Sequence, residues 1–223
     1  MGELIRGRFL LSPHPQDTEE WKRDRAGKVT GSRADCVGAK GSGSTEATTR
    51  RDYRVQLVVE RLTGEPQEDA FTSRYLRAGK ENEPFARMKY EEETGAIVRQ
   101  VGLAYLPSMP VGCSVDGLME DDPDGFGFLE IKCPKSANHI AYLMAARLPP
   151  EHVPQVVHNF YVTSADFCDF ASYDPHMPEK LRLFKVRVYR KEVELDMARY
   201  EKALLQFLAE TKTLETQLRR RAA

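Results

Sequence analysis

Two short stretches hold the residues with the clearest chemical potential: Cys113-Ser114-Val115-Asp116-Gly117-Leu118 and Phe128-Leu129-Glu130-Ile131-Lys132-Cys133-Pro134. In a β-strand, residues two apart point to the same face. Glu130 and Lys132 then share one face, and Leu129, Ile131 and Cys133 turn the other way into a core. On the earlier stretch Asp116 shares a face with Ser114 and Leu118. Paired as hairpin strands, the two stretches bring Asp116 towards Glu130. Two carboxylates in one place repel unless a proton or a cation lies between them. A hard divalent ion with oxygen ligands, Mg2+ or Mn2+, suits that spot, and the Ile131 carbonyl offers a further oxygen. Lys132 is placed to orient or deprotonate an attacking water. Together these groups form a kit for phosphodiester hydrolysis. Taken alone, the triplet also suits a structural Asp–Lys–Glu cluster on a solvated sheet face.

Several elements must position these groups. Residues 1–20 read as an irregular arm, followed by a short basic helix, Trp21 to Lys28, and a new element capped by Thr30 or Ser32. Residues 38–49, GAKGSGSTEATT, read as a flexible loop. Helical spacing covers Asp52–Leu62 and Lys80–Thr94, with Gly64 and Gly95 as stops. The period then changes to two, which predicts strands over Ile97–Leu106, Val111–Met119 and Phe126–Cys133. Helices are expected over 138–147 and 151–163, strands over Phe167–Tyr173 and Leu183–Tyr189, and a closing helix over 193–220. The order predicts an α/β fold, a mixed central β-sheet flanked by helices, in a single domain over 1–223.

Composition narrows the function classes. Lys and Arg number 33 against 34 Asp and Glu, which excludes a uniformly basic nucleic-acid binder but not a local basic patch. No run of 18 apolar residues predicts a membrane span. The run Phe9-Leu10-Leu11 is too short for a signal peptide. Cys36, Cys113, Cys133 and Cys168 form no C-x-x-C pair and are expected to be reduced and mostly buried. His139, His152 and His158 are read as surface groups or as groups behind the reacting ones. Trp21 is expected in the core.

The chain resembles the phage lambda exonuclease family, the YqaJ-type viral recombinases of the PD-(D/E)-x-K nuclease superfamily. Trp21…Arg25-Ala26-Gly27…Val29-Thr30-Gly31-Ser32 resembles its N-terminal motif. Gly79-Lys80-Glu81-Asn82-Glu83 with Ala86-Arg87 resembles its helix motif, and the Asp116 and Glu130–Pro134 segments its catalytic strands. Gln155 in Val153-Pro154-Gln155-Val156, then Val162-Thr163 and Tyr173-Asp174-Pro175, resemble its later elements. Val115 stands where the family usually has proline, and the 38–49 loop matches poorly.

The resemblance implies a restriction-endonuclease-like core. Asp116, Glu130 and the Ile131 carbonyl would hold the metal, Glu83 would add a carboxylate, and Lys132 would be the catalytic lysine. Gln155 would help place the water or the scissile phosphate. Arg25 and Ser32 would hold the 5′-phosphate of a DNA end, which suits a planar guanidinium and a hydroxyl. Leu76 would be the wedge that parts the strands. Arg50, Arg51 and Arg54 suit either the DNA backbone or a solvated helix face.

The implied activity is Mg2+-dependent 5′-to-3′ degradation of one strand of linear double-stranded DNA to mononucleotides, leaving 3′ single-stranded tails. The implied setting is a homotrimer ring, a phage-type single-strand annealing protein as partner, and a phage or prophage product in a bacterial cytoplasm. Two alternatives stand beside it: a site-specific endonuclease of the same core, and a non-catalytic protein that binds DNA ends.

Overall fold

The structure, a computed structural model, describes residues 2–43, 45–67 and 74–222, with only the backbone over 74–78. Its elements form two four-stranded sheets with helices packed around them. The first sheet is antiparallel throughout, in the order β1 (Glu3–Ile5), β2 (Phe9–Leu11), β3 (Ala104–Tyr105), β4 (Gly112–Cys113). The second runs β5 (Gly117–Asp122), β6 (Gly125–Lys132), β7 (Phe167–Tyr173), β8 (Leu183–Tyr189). Its central pair, β6 and β7, is parallel, and the flanking pairs are antiparallel. That mixed sheet is the α/β core expected from the sequence.

Three expectations change. The irregular arm contains two strands, and Phe9 and Leu11 are buried in the core. The segment 97–106 keeps only the two-residue β3 and an isolated bridge between Arg99 and Leu118. The segment 111–119 is not one strand: it leaves the first sheet after Cys113 and enters the second at Gly117. The Gln16 side chain fills the break, donating to the carbonyls of Val101 (2.9 Å) and Val115 (2.8 Å). Asp116 therefore sits at the seam between the sheets.

The helices carry the rest of the site. Helix α1 (Glu19–Arg25) starts where the Thr18 hydroxyl accepts from the Trp21 N–H. Its acidic first turn and basic last turn both suit the helix dipole. A 3₁₀ turn (Gly31–Arg33) leads into the short α2 (Ala34–Val37). Helices α3 (Thr48–Thr63) and α4 (Arg74–Thr94) both end at glycines in the left-handed region, Gly64 (φ 76°) and Gly95 (φ 70°). Between β6 and β7 the chain forms α5 (Ser136–Ala145) and α6 (Val153–Thr163). Helix α7 (Glu194–Ala222) closes the chain along α3 and α6. Every residue of α6 from Val156 to Thr163 is buried, as for a helix surrounded by the core. Its first two turns reach the site, through Gln155 and Asn159.

Helix α4 is fastened to the second sheet through a buried polar cluster. Asp169 of β7 accepts both a bidentate pair from Arg187 of β8, at 2.8 Å each, and the Tyr90 hydroxyl of α4. The 38–49 loop joins α2 to α3. Its Glu46 binds Arg50 and Arg54, which also hold Glu210 of α7. Those two arginines are thus engaged in ion pairs within the chain, and Arg51 pairs with its neighbour Asp52. The four cysteines are unpaired to one another; three are buried and Cys133 is half-buried. No described helix is long and apolar enough to cross a membrane.

Candidate active site

Strand β6 ends the core with Glu130, Ile131 and Lys132. Glu130 is 1% exposed, and both of its carboxylate oxygens are engaged. Its Oε1 accepts from Lys132 Nζ (2.5 Å) and Gln155 Nε2 (2.5 Å), and its Oε2 accepts from Asn159 Nδ2 (3.0 Å). Buried carboxylate oxygens left without such donors would cost free energy. Asp116 pairs through its backbone, its N–H donating to the Leu129 carbonyl (3.0 Å). Its Oδ2 accepts the Ile131 N–H at 2.5 Å. The N–H and carbonyl of one strand residue leave on the same edge. The Ile131 carbonyl is therefore on the Asp116 side of β6.

Charge is crowded here. Burial, followed by the Glu130 and Glu83 carboxylates, holds the Asp116 carboxyl well above the ordinary carboxylate range, against Lys132 and the Ile131 N–H. Burial also raises Glu83, opposed by Arg87, whose Nη1 is 3.9 Å from Glu83 Oε1. Burial alone pulls Lys132 down, but Glu130 and Asp116 outweigh it and keep the ammonium charged. An excess of carboxylates over cations is the donor chemistry of a hard divalent ion. Among the described residues no group of three or more His, Cys, Asp and Glu gathers as a complete cage. Glu83 faces the site from α4 without closing such a cage. Two carboxylates and a carbonyl, with water completing the shell, match the way Mg2+ is commonly held.

Three cavities lie in this region, two of them lined by residues of the cluster. One of about 670 Å³ touches Asp116, Glu83, Arg87, Arg99 and His14. Another of about 530 Å³ is lined by Trp21, Arg25, Lys28, Ser32 and Arg33. A third of about 410 Å³ lies on the far side of Lys132, against Tyr142, Glu151 and His152. Lys80 borders all three. In the second cavity Arg25 Nη2 is 3.5 Å from Ser32 Oγ, and its guanidinium lies 4.2 Å from the centre of the Trp21 ring. Trp21 is in the core as expected, and its indole N–H donates to Ser114 Oγ (3.1 Å). It thereby ties the basic pocket to the segment that leads to Asp116.

The structure thus gathers Asp116, Glu130, Ile131, Lys132 and Gln155, brings Glu83 to their edge, and sets Arg25 and Ser32 together in an adjoining pocket. Leu76 lies in the first turn of α4, and its side chain is outside the described residues. The histidines correct the sequence reading. His139 and His158 are fully buried, bonded to Ser172 and Leu181 and to Tyr200 and Gly112 respectively. His152 is half-buried, and burial, then Lys132, push it down to about 4. Asn159 was not singled out by the sequence. Its signal was the four-residue spacing from Gln155, which puts both amides on one helix face.

An Asp and an E-x-K triplet at the end of a mixed sheet define a nuclease of the restriction-endonuclease-like class. The chain matches the YqaJ-like viral recombinase domain over residues 20–166 and belongs to that family, one of metal-dependent nucleases. It is similar to an alkaline exonuclease, LHK-Exo, from Laribacter hongkongensis, with 36% identity, 92% of this chain and 98% of that chain covered, and a TM-score of 0.78. The structure of LHK-Exo in complex with dAMP matches at the same identity and coverage, with a TM-score of 0.79. A phage-related exonuclease from Haemophilus somnus 129PT shares the fold at 13% identity, with 86% and 96% of the two chains covered and a TM-score of 0.59. No curated protein matches the chain. Family and site together make this chain a nuclease.

Proposed function

We propose that the chain is a Mg2+-dependent 5′-to-3′ exonuclease that degrades one strand of linear double-stranded DNA to mononucleotides and leaves 3′ single-stranded tails. The observation that carries this reading is the Arg25–Ser32 pocket, which shares Lys80 and Asp17 with the cavity that reaches Asp116 and Glu83. Arg25 and Ser32 suit a phosphate, and with the 5′-phosphate that the family resemblance implies held there, hydrolysis at the carboxylates would remove nucleotides from that end. The dAMP in the similar LHK-Exo structure is the type of molecule such stepwise removal releases.

Asp116, Glu130 and the Ile131 carbonyl would hold Mg2+, or Mn2+ in its place, with Glu83 at the edge. When bound, the ion supplies Lewis acidity at the scissile phosphate. Lys132 works as an ammonium, since its neighbours keep it charged, and it faces the negative charge that develops on the phosphate. Gln155 holds Glu130 from one side and lies where it can also orient water. Leu76 is assigned the strand-parting wedge. The chain would work as a homotrimer ring on DNA, as a phage or prophage product in the bacterial cytoplasm, passing its tails to a phage-type single-strand annealing protein.

The test is digestion of linear duplexes with and without a 5′-phosphate, and of a closed circle, in Mg2+ or EDTA. Mg2+-dependent loss of the phosphorylated linear duplex, with the circle spared, is the expected result. A cut circle means an endonuclease, and end binding without hydrolysis means a DNA-end binding protein.

A further inference from the structure

Asn159 is 1% exposed and its amide has one fixed orientation. Nδ2 must face Glu130 Oε2, because a carboxylate only accepts. Oδ1 is then left buried without a hydrogen-bond partner among the described residues. It points at Gly31, where a Cβ would stand 2.6 Å from it. Gly31 opens the 3₁₀ turn that carries Ser32. Glycine is required here for space: the Asn159 amide occupies the place of a side chain.

We infer that Asn159 is a positioning residue, seated by Gly31, that fixes the Glu130 carboxylate for the metal and so joins the end-phosphate turn to the metal ligand. The inference rests on the proposed role of Glu130. Lys132 and Gln155 both bind Oε1, so Asn159 is the side chain that fixes the other oxygen. Rotation of the carboxylate is prevented only while both oxygens are held. Gly31 touches neither Glu130 nor Asp116 among its nearest neighbours, which are Asn159, Gln155 and His158. Its effect on the metal would have to pass through α6.

The experiment measures Mn2+ binding by calorimetry in the absence of DNA, beside steady-state digestion of 5′-phosphorylated duplex, for the full chain. The variants are Asn159→Leu, Asn159→Ser, Gly31→Ala and the double Gly31→Ala/Asn159→Ser, each checked for wild-type circular dichroism. Asn159→Leu and Gly31→Ala are each expected to weaken Mn2+ binding and lower kcat by about tenfold or more, with KM for DNA ends within about twofold. In the Asn159→Ser background, where the smaller side chain removes the closest contact and leaves the milder one of 3.3 Å to Gln155 Cγ, Gly31→Ala is expected to cost much less. Wild-type Mn2+ affinity in both Asn159→Leu and Gly31→Ala overturns the inference. A Gly31→Ala defect confined to the preference for 5′-phosphorylated ends, or one equally large in the Asn159→Ser background, overturns it as well. Should Asn159→Leu not fold, the Gly31→Ala pair decides by the same criteria. A wild-type protein that digests DNA but binds no Mn2+ removes the role of Glu130 and this inference together.

Discussion

The Ile131 N–H donates to Asp116 Oδ2 at 2.5 Å, so the backbone of the strand that carries Glu130 also aims the second carboxylate. The spacing of the two acids is set by β6 itself rather than by side-chain rotamers. Asp116→Asn keeps an oxygen for this bond and removes a charge from a site with excess carboxylates. Hydrolysis is expected to fall by about a thousandfold, because a Lewis-acid site is worth several kcal/mol. Metal-free Asp116→Asn is expected to melt higher than metal-free wild type near neutral pH, since it removes a buried charge and, with it, repulsion from Glu130 and Glu83. Excess Mg2+ should reverse that order. Paired thermal melts with EDTA and with Mg2+ check this; an equal or lower melting point without metal refutes it.

Lys132 separates charge from chemistry. Its ammonium is fixed to Glu130 at 2.5 Å and is about a quarter exposed. Lys132→Ala is expected to lower kcat by about 10²–10⁴-fold, the usual range for a positioned group acting on proton transfer or developing charge. Binding of a 5′-phosphorylated end is expected to stay within about threefold, because Arg25 and Ser32 build the end pocket and the Lys132 charge acts on that phosphate only across solvent, where a pair is worth about 0–1 kcal/mol. Electrophoretic binding in Ca2+ beside digestion in Mg2+ measures the two separately. Loss of both together would place Lys132 in the DNA-binding surface instead.

Much of this site was legible because its groups sit on regular elements. Glu130 and Lys132 alternate with Leu129 and Ile131 along an eight-residue strand, and α3, α4, α6 and α7 have helical spacing with glycine or polar stops. The seam at Ser114–Asp116 was not legible, since the apolar alternation runs through it unchanged. It is the side chain of Gln16, distant in sequence, that takes the place of a strand there. Strands of two or three residues, such as β1 to β4, are too short to show a period. The burial of His139 and His158 depends on partners 33 to 46 residues away, which no local pattern reveals.

The Arg25 pocket predicts end selectivity. A charge-assisted bond to phosphate is worth about 1.5–3 kcal/mol, so Arg25→Ala should erase a preference for 5′-phosphorylated over hydroxyl ends of about 10- to 100-fold. Ser32→Ala should erase less. Trp21→Ala is expected to mimic Arg25→Ala in part, because the ring lies 4.2 Å beneath the guanidinium and its N–H holds Ser114. Rates on hydroxyl-ended duplex serve as the internal control and should change little in Arg25→Ala and Ser32→Ala. A uniform loss on both substrates in Arg25→Ala would assign the arginine to the backbone at large.

Acid should weaken the fold through His158, as well as through His152, whose imidazole is also pushed down to about 4. The Gly112 carbonyl only accepts, so Nε2–H donates to it (2.8 Å) and the neutral Nδ1 accepts from the Tyr200 hydroxyl. Burial pushes this imidazole down to about 4 from its ordinary 6.5. Between those values the unfolded chain binds the proton and the folded chain does not. The stabilisation is therefore complete above 6.5 and is lost as pH falls towards 4. Its full span is about 3 kcal/mol, at about 1.4 kcal/mol for each tenfold change in proton affinity. His158→Gln should lower stability at pH 7.5, where one of the two bonds is disturbed, and flatten the fall between pH 6.5 and 4.5. Urea midpoints across that range measure it. A wild-type midpoint unchanged from pH 7 to 4.5 would show that His158 takes up its proton without leaving the core.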